Sequence, residues 1–167
     1  MARVMHSVLV AALSVAVLSL LAAPPPAAAQ SAQAAASSAA PGVEKKAHRL
    51  ILQVNSNEPA VMNLALNNAA NAEQHYKRLG EQIQIEIVTF GPGLNMLRDD
   101  TSPVKERIKS IAESSRSISF AACDNTRTNM SKAEQKEIPL VSQATVVSSG
   151  VVRVMELQEQ GWSYVRP

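Results

Sequence analysis

Cysteine is almost absent from this chain: Cys123 is the only one in 167 residues. A single thiol excludes an internal disulfide, a dithiol centre with its own resolving partner and a cysteine-rich zinc site. One-thiol chemistry stays open. Aromatic residues are scarce too, with one Trp, two Tyr and two Phe, so a core must be built from Val, Ile, Leu, Met and Ala. Neither sign of charge dominates: 16 Lys and Arg stand against 14 Asp and Glu. A near-neutral chain lacks what nucleic-acid binding draws most of its affinity from, the neutralisation of phosphates. The basic cluster Lys45, Lys46, His48 and Arg49 reads as a solvated lead-in to a strand. Past residue 29 the histidines are His48 and His75, with no metal-ligand spacing, so both read as solvated surface and no metal is expected. No serine sits in a nucleophile elbow with an evident base, which disfavours a hydrolase. Gly91-Pro92-Gly93 has no P-loop lysine and reads as a turn rather than a phosphate cradle. No cofactor is implied.

What is present begins with an address. Arg3 precedes an apolar stretch, Val8 to Ala23, broken only by Ser14 and Ser19; Pro24-Pro25-Pro26 and Ala27-Ala28-Ala29 follow. A charged start, an apolar middle and small residues at a cleavage site describe a secretory signal peptide over 1–29. The apolar stretch is short for a bilayer span of roughly 20 residues, so no stable membrane insertion is expected after cleavage, and the mature chain is expected in the periplasm or outside the cell. Residues 30–46 are rich in Ala, Ser and Gln and read as a flexible tether. Residues 47–167 then form one α/β domain.

Within that domain, strand and helix alternate. Arg49 to Val54 is a short apolar run suited to a buried strand. Pro59 opens a helix with Met62, Leu66, Ala69, Tyr76 and Leu79 along one face, and Gly80 stops it. Gln82 to Phe90 is the second strand, ended by Gly91-Pro92-Gly93, with one helical turn at Leu94 to Leu97. Ser102-Pro103 opens the next helix, and Ser117 to Cys123 is the third strand. Asn125 to Met130 suggests a short helix, and the capping-box spacing of Ser131 and Glu134 suggests that another starts there. Ala144 to Ser148 is a fourth strand, Gly150 a turn, Val151 to Gln160 an amphipathic helix with Val151, Val154, Met155 and Leu157 on its apolar side, and Trp162 to Val165 a last strand. Alternation of this kind implies a mostly parallel five-stranded sheet covered on both faces, a three-layer α/β/α sandwich.

Ligands and reactive groups in such sheets gather at the carboxyl ends of the strands. Three loops are expected to meet there. They carry Asn55 and Asn57, then Gly91 and Gly93, then Cys123, Asn125 and Thr126. Cys123 is the candidate reactive thiol. Asn55, Asn57, Gly91, Gly93, Asn125 and Thr126 are the candidate pocket-lining and hydrogen-bonding residues. A helix starting near Asn125 favours the thiolate through its N-terminal amides, and Arg127 adds to this. Asp124 and burial oppose it. The plain alternative is that Cys123 is a small buried hydrophobe. Asn63, Asn67 and Asn71 recur every four residues on one helical face, either as solvated surface or as a polar oligomer contact or a wall of the site.

Four stretches, Val88 to Gly93, Phe120 to Thr126, Val146 to Arg153 and Glu156 to Pro167, are together similar in order and spacing to the DsrE/DsrF-like family, in particular its exported single-domain members. The resemblance covers roughly Ala47 to Pro167. It implies the three-layer fold and homo-oligomers, trimers or hexamers. In the sulfur-relay members a cysteine at this strand end accepts sulfur as a persulfide and passes it on, and Cys123 is the matching position. A sulfur donor or acceptor protein is the implied partner. Two functions follow as expectations: an exported carrier or thiol-based binding protein using Cys123, rather than a turnover enzyme, or a non-enzymatic oligomeric scaffold in which Cys123 is buried and structural.

Overall fold

Five parallel strands in the order β4-β3-β2-β1-β5 form the centre of the domain. A computed structural model describes residues 47–167; the expected signal peptide, 1–29, and tether, 30–46, lie outside the described residues. The strands are β1, Ala47–Val54; β2, Gln82–Thr89; β3, Ile118–Cys123; β4, Ala144–Val147; and β5, Ser163–Val165. The helices are α1, Pro59–Arg78; α2, Lys105–Ser114; α3, Asp124–Glu134; and α4, Gly150–Glu159, with a 3-10 helix at Gly91–Leu97.

The connections decide the layers. From β1 to β4 the chain steps one strand at a time in one direction, so right-handed crossovers put α1, α2 and α3 on the same face. The last connection runs back across the whole sheet from β4 to β5 and puts α4 alone on the other face. Packing agrees. Leu52, Val54, Ile83, Ile85, Ile87 and Phe120 meet Met62, Ala65 and Leu66 of α1 and Ile108 of α2 in the larger core. Ile51, Val88 and Ala121, the alternate strand positions, meet Leu157 of α4 in the smaller one, with Phe90, Val147, Val154 and Trp162 at its margin. Each fully buried Ile or Leu contributes about 2 kcal/mol. The thinner layer is fixed by charge as well: Arg153 of α4 donates from Nε and a terminal nitrogen to the two oxygens of the buried Glu86 on β2, both at 2.7 Å.

The sheet is wholly parallel. Several local expectations are corrected. α3 is one continuous helix, because the Ser131 hydroxyl donates to the carbonyl of Lys136 at 2.6 Å instead of capping a new one, and the helix ends at Gln135 in the left-handed region. Gly150 is not a turn but the first residue of α4, capped by the Ser149 hydroxyl. α2 begins at Lys105, after Pro103, with Val104 at its cap. The 3-10 helix starts at Gly91 itself. Val151 and Met155 are exposed rather than core, and Leu79 lies beyond the end of α1, also exposed. Asn63 and Asn67 accept from the guanidinium of Arg107, so two members of the asparagine stripe join α1 to α2. His48 is half-buried, its Nε2 2.7 Å from Glu81 Oε2 and its ring stacked on Tyr76 at 3.8 Å, at the amino end of the sheet away from Cys123.

Candidate functional site

Cys123 is the last residue of β3, and α3 leaves directly after it. β4 lies alongside, with Val147 paired to Cys123, and α4 leaves from its end through Ser148 and Ser149. α3 and α4 depart to opposite faces. The gap between β3 and β4 is therefore the topological switch point of the sheet, where parallel α/β folds open a crevice at the carboxyl ends. The amide of Asn125 donates to the carbonyl of Ser148 at 3.3 Å and ties the two junctions together.

The thiol stands between the starts of two helices. It is 4% exposed. Burial pushes its pKa up, but the Thr126 hydroxyl and the amides of Gly150, Thr126 and Asn125 push it down, and the balance falls below the ordinary value. Cys123 occupies the cap position of α3 without a formal side-chain cap bond. These donors act as an ensemble of dipoles aimed at the sulfur, the arrangement that favours a thiolate. The amide of Gly91 donates to Thr126 Oγ1 at 3.0 Å, which joins the second strand's loop to the thiol's hydroxyl neighbour.

A shallow cleft of about 550 Å³ runs along α3 past Thr126, and Cys123 itself does not line it. Asn57, Gly91 and Thr126, one from each expected loop, line it together with Asn95, Asn129 and Met130. The remaining expected residues take other parts. Gly93 is buried, and a Cβ there would stand 2.2 Å from the carbonyl oxygen of Val54, so glycine lets the 3-10 helix pass the end of β1. Its amide is taken by Phe90. Asn55 is exposed and its Cα lies against Gly93. Asn125 is exposed and acts through its amide. Arg127 turns away from the thiol: its Nε donates to the carbonyl of Ile138 at 2.9 Å and a terminal nitrogen to Glu137 at 3.1 Å.

Two features were missed in the sequence. Gly150 packs so close to Phe90 that a Cβ would meet the ring at 2.7 Å, and its amide is one of the groups that lower the pKa of the thiol. Arg98, 5% exposed at the far end of the cleft, is held by Asp100 and Glu134, and Lys136 bridges the same two carboxylates. The Arg98 hydrogen bonds hold the Asp100 carboxyl well below the usual range and lower that of Glu134. The four charges cancel, so the cluster is a clasp between α3 and the chain after the 3-10 helix. Among the described residues, no group of three or more His, Cys, Asp or Glu converges as metal ligands do, and no helix is long and apolar enough to cross a membrane.

No protein-family profile matches the chain, and no curated protein matches it. A solved structure of a protein of unknown function, MTH1491 from Methanobacterium thermoautotrophicum, is similar, with 27% identity and a TM-score of 0.61 over 72% of this chain and 99% of that one. The likeness agrees with the α/β/α sandwich around a parallel sheet.

Proposed function

We propose that this protein is an exported, DsrE-like sulfur carrier that accepts sulfane sulfur on Cys123. The observation that carries the reading is the lone thiol at the switch point between two helix starts, with its pKa depressed despite burial. The step needs no oxidant. The Cys123 thiolate attacks the outer sulfur of a donor persulfide, R–S–SH. A new S–S bond forms, the donor's S–S bond breaks, and R–S⁻ leaves with the bonding pair. The proton stays on the transferred sulfur, and the product is Cys123–S–SH. The dipoles that favour the thiolate also favour the ionised persulfide. The export reading is supported by the sequence of residues 1–29. Self-association is supported by Val151, Val152 and Met155, about half exposed along the outer side of α4.

Incubation of the mature protein with a small-molecule persulfide, followed by intact mass measurement, tests the proposal. One added sulfur atom per chain is expected, and none on Cys123→Ser. No gain, or equal gain on both proteins, overturns it. The burial of Cys123 favours a second reading, an oligomeric binding module with a structural thiol. That reading expects no sulfur uptake and alkylation only on unfolding.

A further inference from the structure

Strand alternation puts the side chain of Cys123 on the α4 face of the sheet, with Ala121 and Val147, while Phe120 and Ala122 lie in the larger core on the opposite face. On the α4 face the sulfur stands in a row. Val147 of β4 is paired to Cys123 on one side. On the other side, the register that sets Thr89 opposite Ala122 runs on by one residue, because Phe90 is extended at φ −154° and ψ 171°. Phe90 therefore sits beside Cys123, about 5 Å away across the strands. Phe90 and Val147 both pack on the smaller core of that face. Gly150 adjoins both the thiol and the ring: its amide is one of the hydrogen-bond donors to the thiol, and a Cβ on it would stand 2.7 Å from Cδ1 of Phe90. The Thr126 hydroxyl and the amides of Asn125 and Thr126, in the first turn of α3, supply the other donors.

These surroundings leave Cys123 4% exposed, and they differ in what can move. The two helix starts present mainly backbone. Val147 is β-branched and held in the ladder. Phe90 is held by its backbone alone: its amide donates to the carbonyl of Val54 at 3.3 Å, and its carbonyl accepts from Gly93 at 3.2 Å. Its half-buried ring turns about χ1 on that fixed backbone. We infer that Phe90 is the specificity-determining residue of the thiol, a side wall that admits small sulfane-sulfur donors of the inorganic disulfide class to Cys123 and shuts out bulky organic and protein persulfides. The inference rests on the carrier reading for its substrate. With hydrogen disulfide, HS–SH, as donor, the Cys123 thiolate attacks one sulfur. The new S–S bond forms, the donor's S–S bond breaks, and HS⁻ leaves with the bonding pair. The proton stays on the transferred sulfur, and the product is again Cys123–S–SH.

The experiment measures access and transfer separately in the full mature chain. Access is the ratio of Cys123 alkylation rates by iodoacetamide and by a fluorescein-linked maleimide, each divided by its rate on the urea-unfolded chain. A native ratio of about tenfold or more in favour of the small reagent is expected. Phe90→Ala is expected to bring the ratio within about twofold of unity, and Phe90→Leu, which keeps an apolar side chain in the core, to an intermediate value. Trp162→Leu loosens the same core at the amino half of the sheet and is expected to leave the ratio unchanged. No native reaction with either reagent, a native ratio near unity, a ratio unmoved by both Phe90 variants, or an equal change in Trp162→Leu overturns the inference. Transfer is the gain of sulfur, by intact mass, from disodium disulfide and from glutathione persulfide. The inorganic donor is expected to load Cys123 about tenfold faster, and Phe90→Ala to close the gap. Equal loading from both donors overturns the size selection and leaves the carrier reading standing. Size-selected alkylation with no loading from either donor overturns the carrier reading and leaves Phe90 in control of access.

Discussion

The amide of Gly91 donates to the Thr126 hydroxyl at 3.0 Å, and that hydroxyl is itself a neighbour that stabilises the Cys123 thiolate. With a lone pair engaged by Gly91, the Thr126 oxygen has its own proton free for the sulfur. Thr126→Val keeps the shape and removes the donor. The midpoint of the pH dependence of Cys123 alkylation is expected to rise, and Thr126→Ser to restore it. The valine variant also leaves the half-buried Gly91 amide unpaired, at a cost of about 1 kcal/mol in urea denaturation. An unmoved midpoint in Thr126→Val removes the hydroxyl from the thiol's electrostatics.

The depressed pKa of Cys123 has a consequence for stability. Between the folded pKa and the unfolded value, about 8.5, the unfolded chain binds more protons than the native one, so stability rises with pH across that window. The contribution is complete above the unfolded pKa and is lost as pH falls through the folded one. The unfolding free energy of the native protein minus that of Cys123→Ala is expected to be larger at pH 9 than at pH 6. Groups other than the thiol cancel in the difference. A difference that is flat or falls with pH contradicts a thiolate stabilised by the fold.

β1, β2, β3 and α1 were legible in the sequence, because their apolar spacing, Pro59 and Gly80 all point one way, and the place of Cys123 followed from them. The continuity of α3 was not legible: its residues carry no apolar period, and its docking depends on Arg98, 36 residues before its partner Glu134. Nor was the role of Gly150, which comes from the fit of its backbone beneath the ring of Phe90. Chain order alone brought three loops together. The switch point needed the strand order, since only the return from β4 to the far edge sends α4 to the opposite face.

Two glycines separate the fold from the site. A Cβ on Gly93 meets backbone, the Val54 oxygen at 2.2 Å and the Val54 carbonyl carbon at 2.5 Å, and neither can yield without shifting β1. Gly93→Ala is expected to destabilise by about 3 kcal/mol. A Cβ on Gly150 meets the Phe90 ring, which lies at the margin of the smaller core and can turn. Gly150→Ala is expected to cost only about 1 kcal/mol but to push the Gly150 amide off the sulfur and raise the midpoint of Cys123 alkylation. Urea denaturation and the alkylation profile on both variants check the pair. Equal losses of stability contradict the distinction between a backbone and a side-chain obstacle.

Glu86 and Arg153 carry the same question to the other side of the sheet. Glu86 is 7% exposed and both its oxygens are taken by one guanidinium. Arg153 is less buried, and its pKa is raised by that hydrogen-bonded pairing. Arg153→Met therefore strands a carboxylate under α4, and a loss of about 2 kcal/mol is expected, less than for a fully enclosed pair because water reaches the vacated side. Glu86→Leu strands only the more exposed partner, so its loss is expected to be smaller. The double variant places two apolar side chains face to face and is expected to recover much of the stability, giving a coupling energy of about 1 kcal/mol or more. The alkylation midpoint of Cys123 reads the position of α4 independently. If α4 is held in place by this pair, Arg153→Met raises the midpoint by loosening the Gly150 amide, and the double variant brings it back. A midpoint that stays fixed while stability falls shows that Leu157 and the packing of Gly150 on Phe90 are enough to hold the amide on the sulfur.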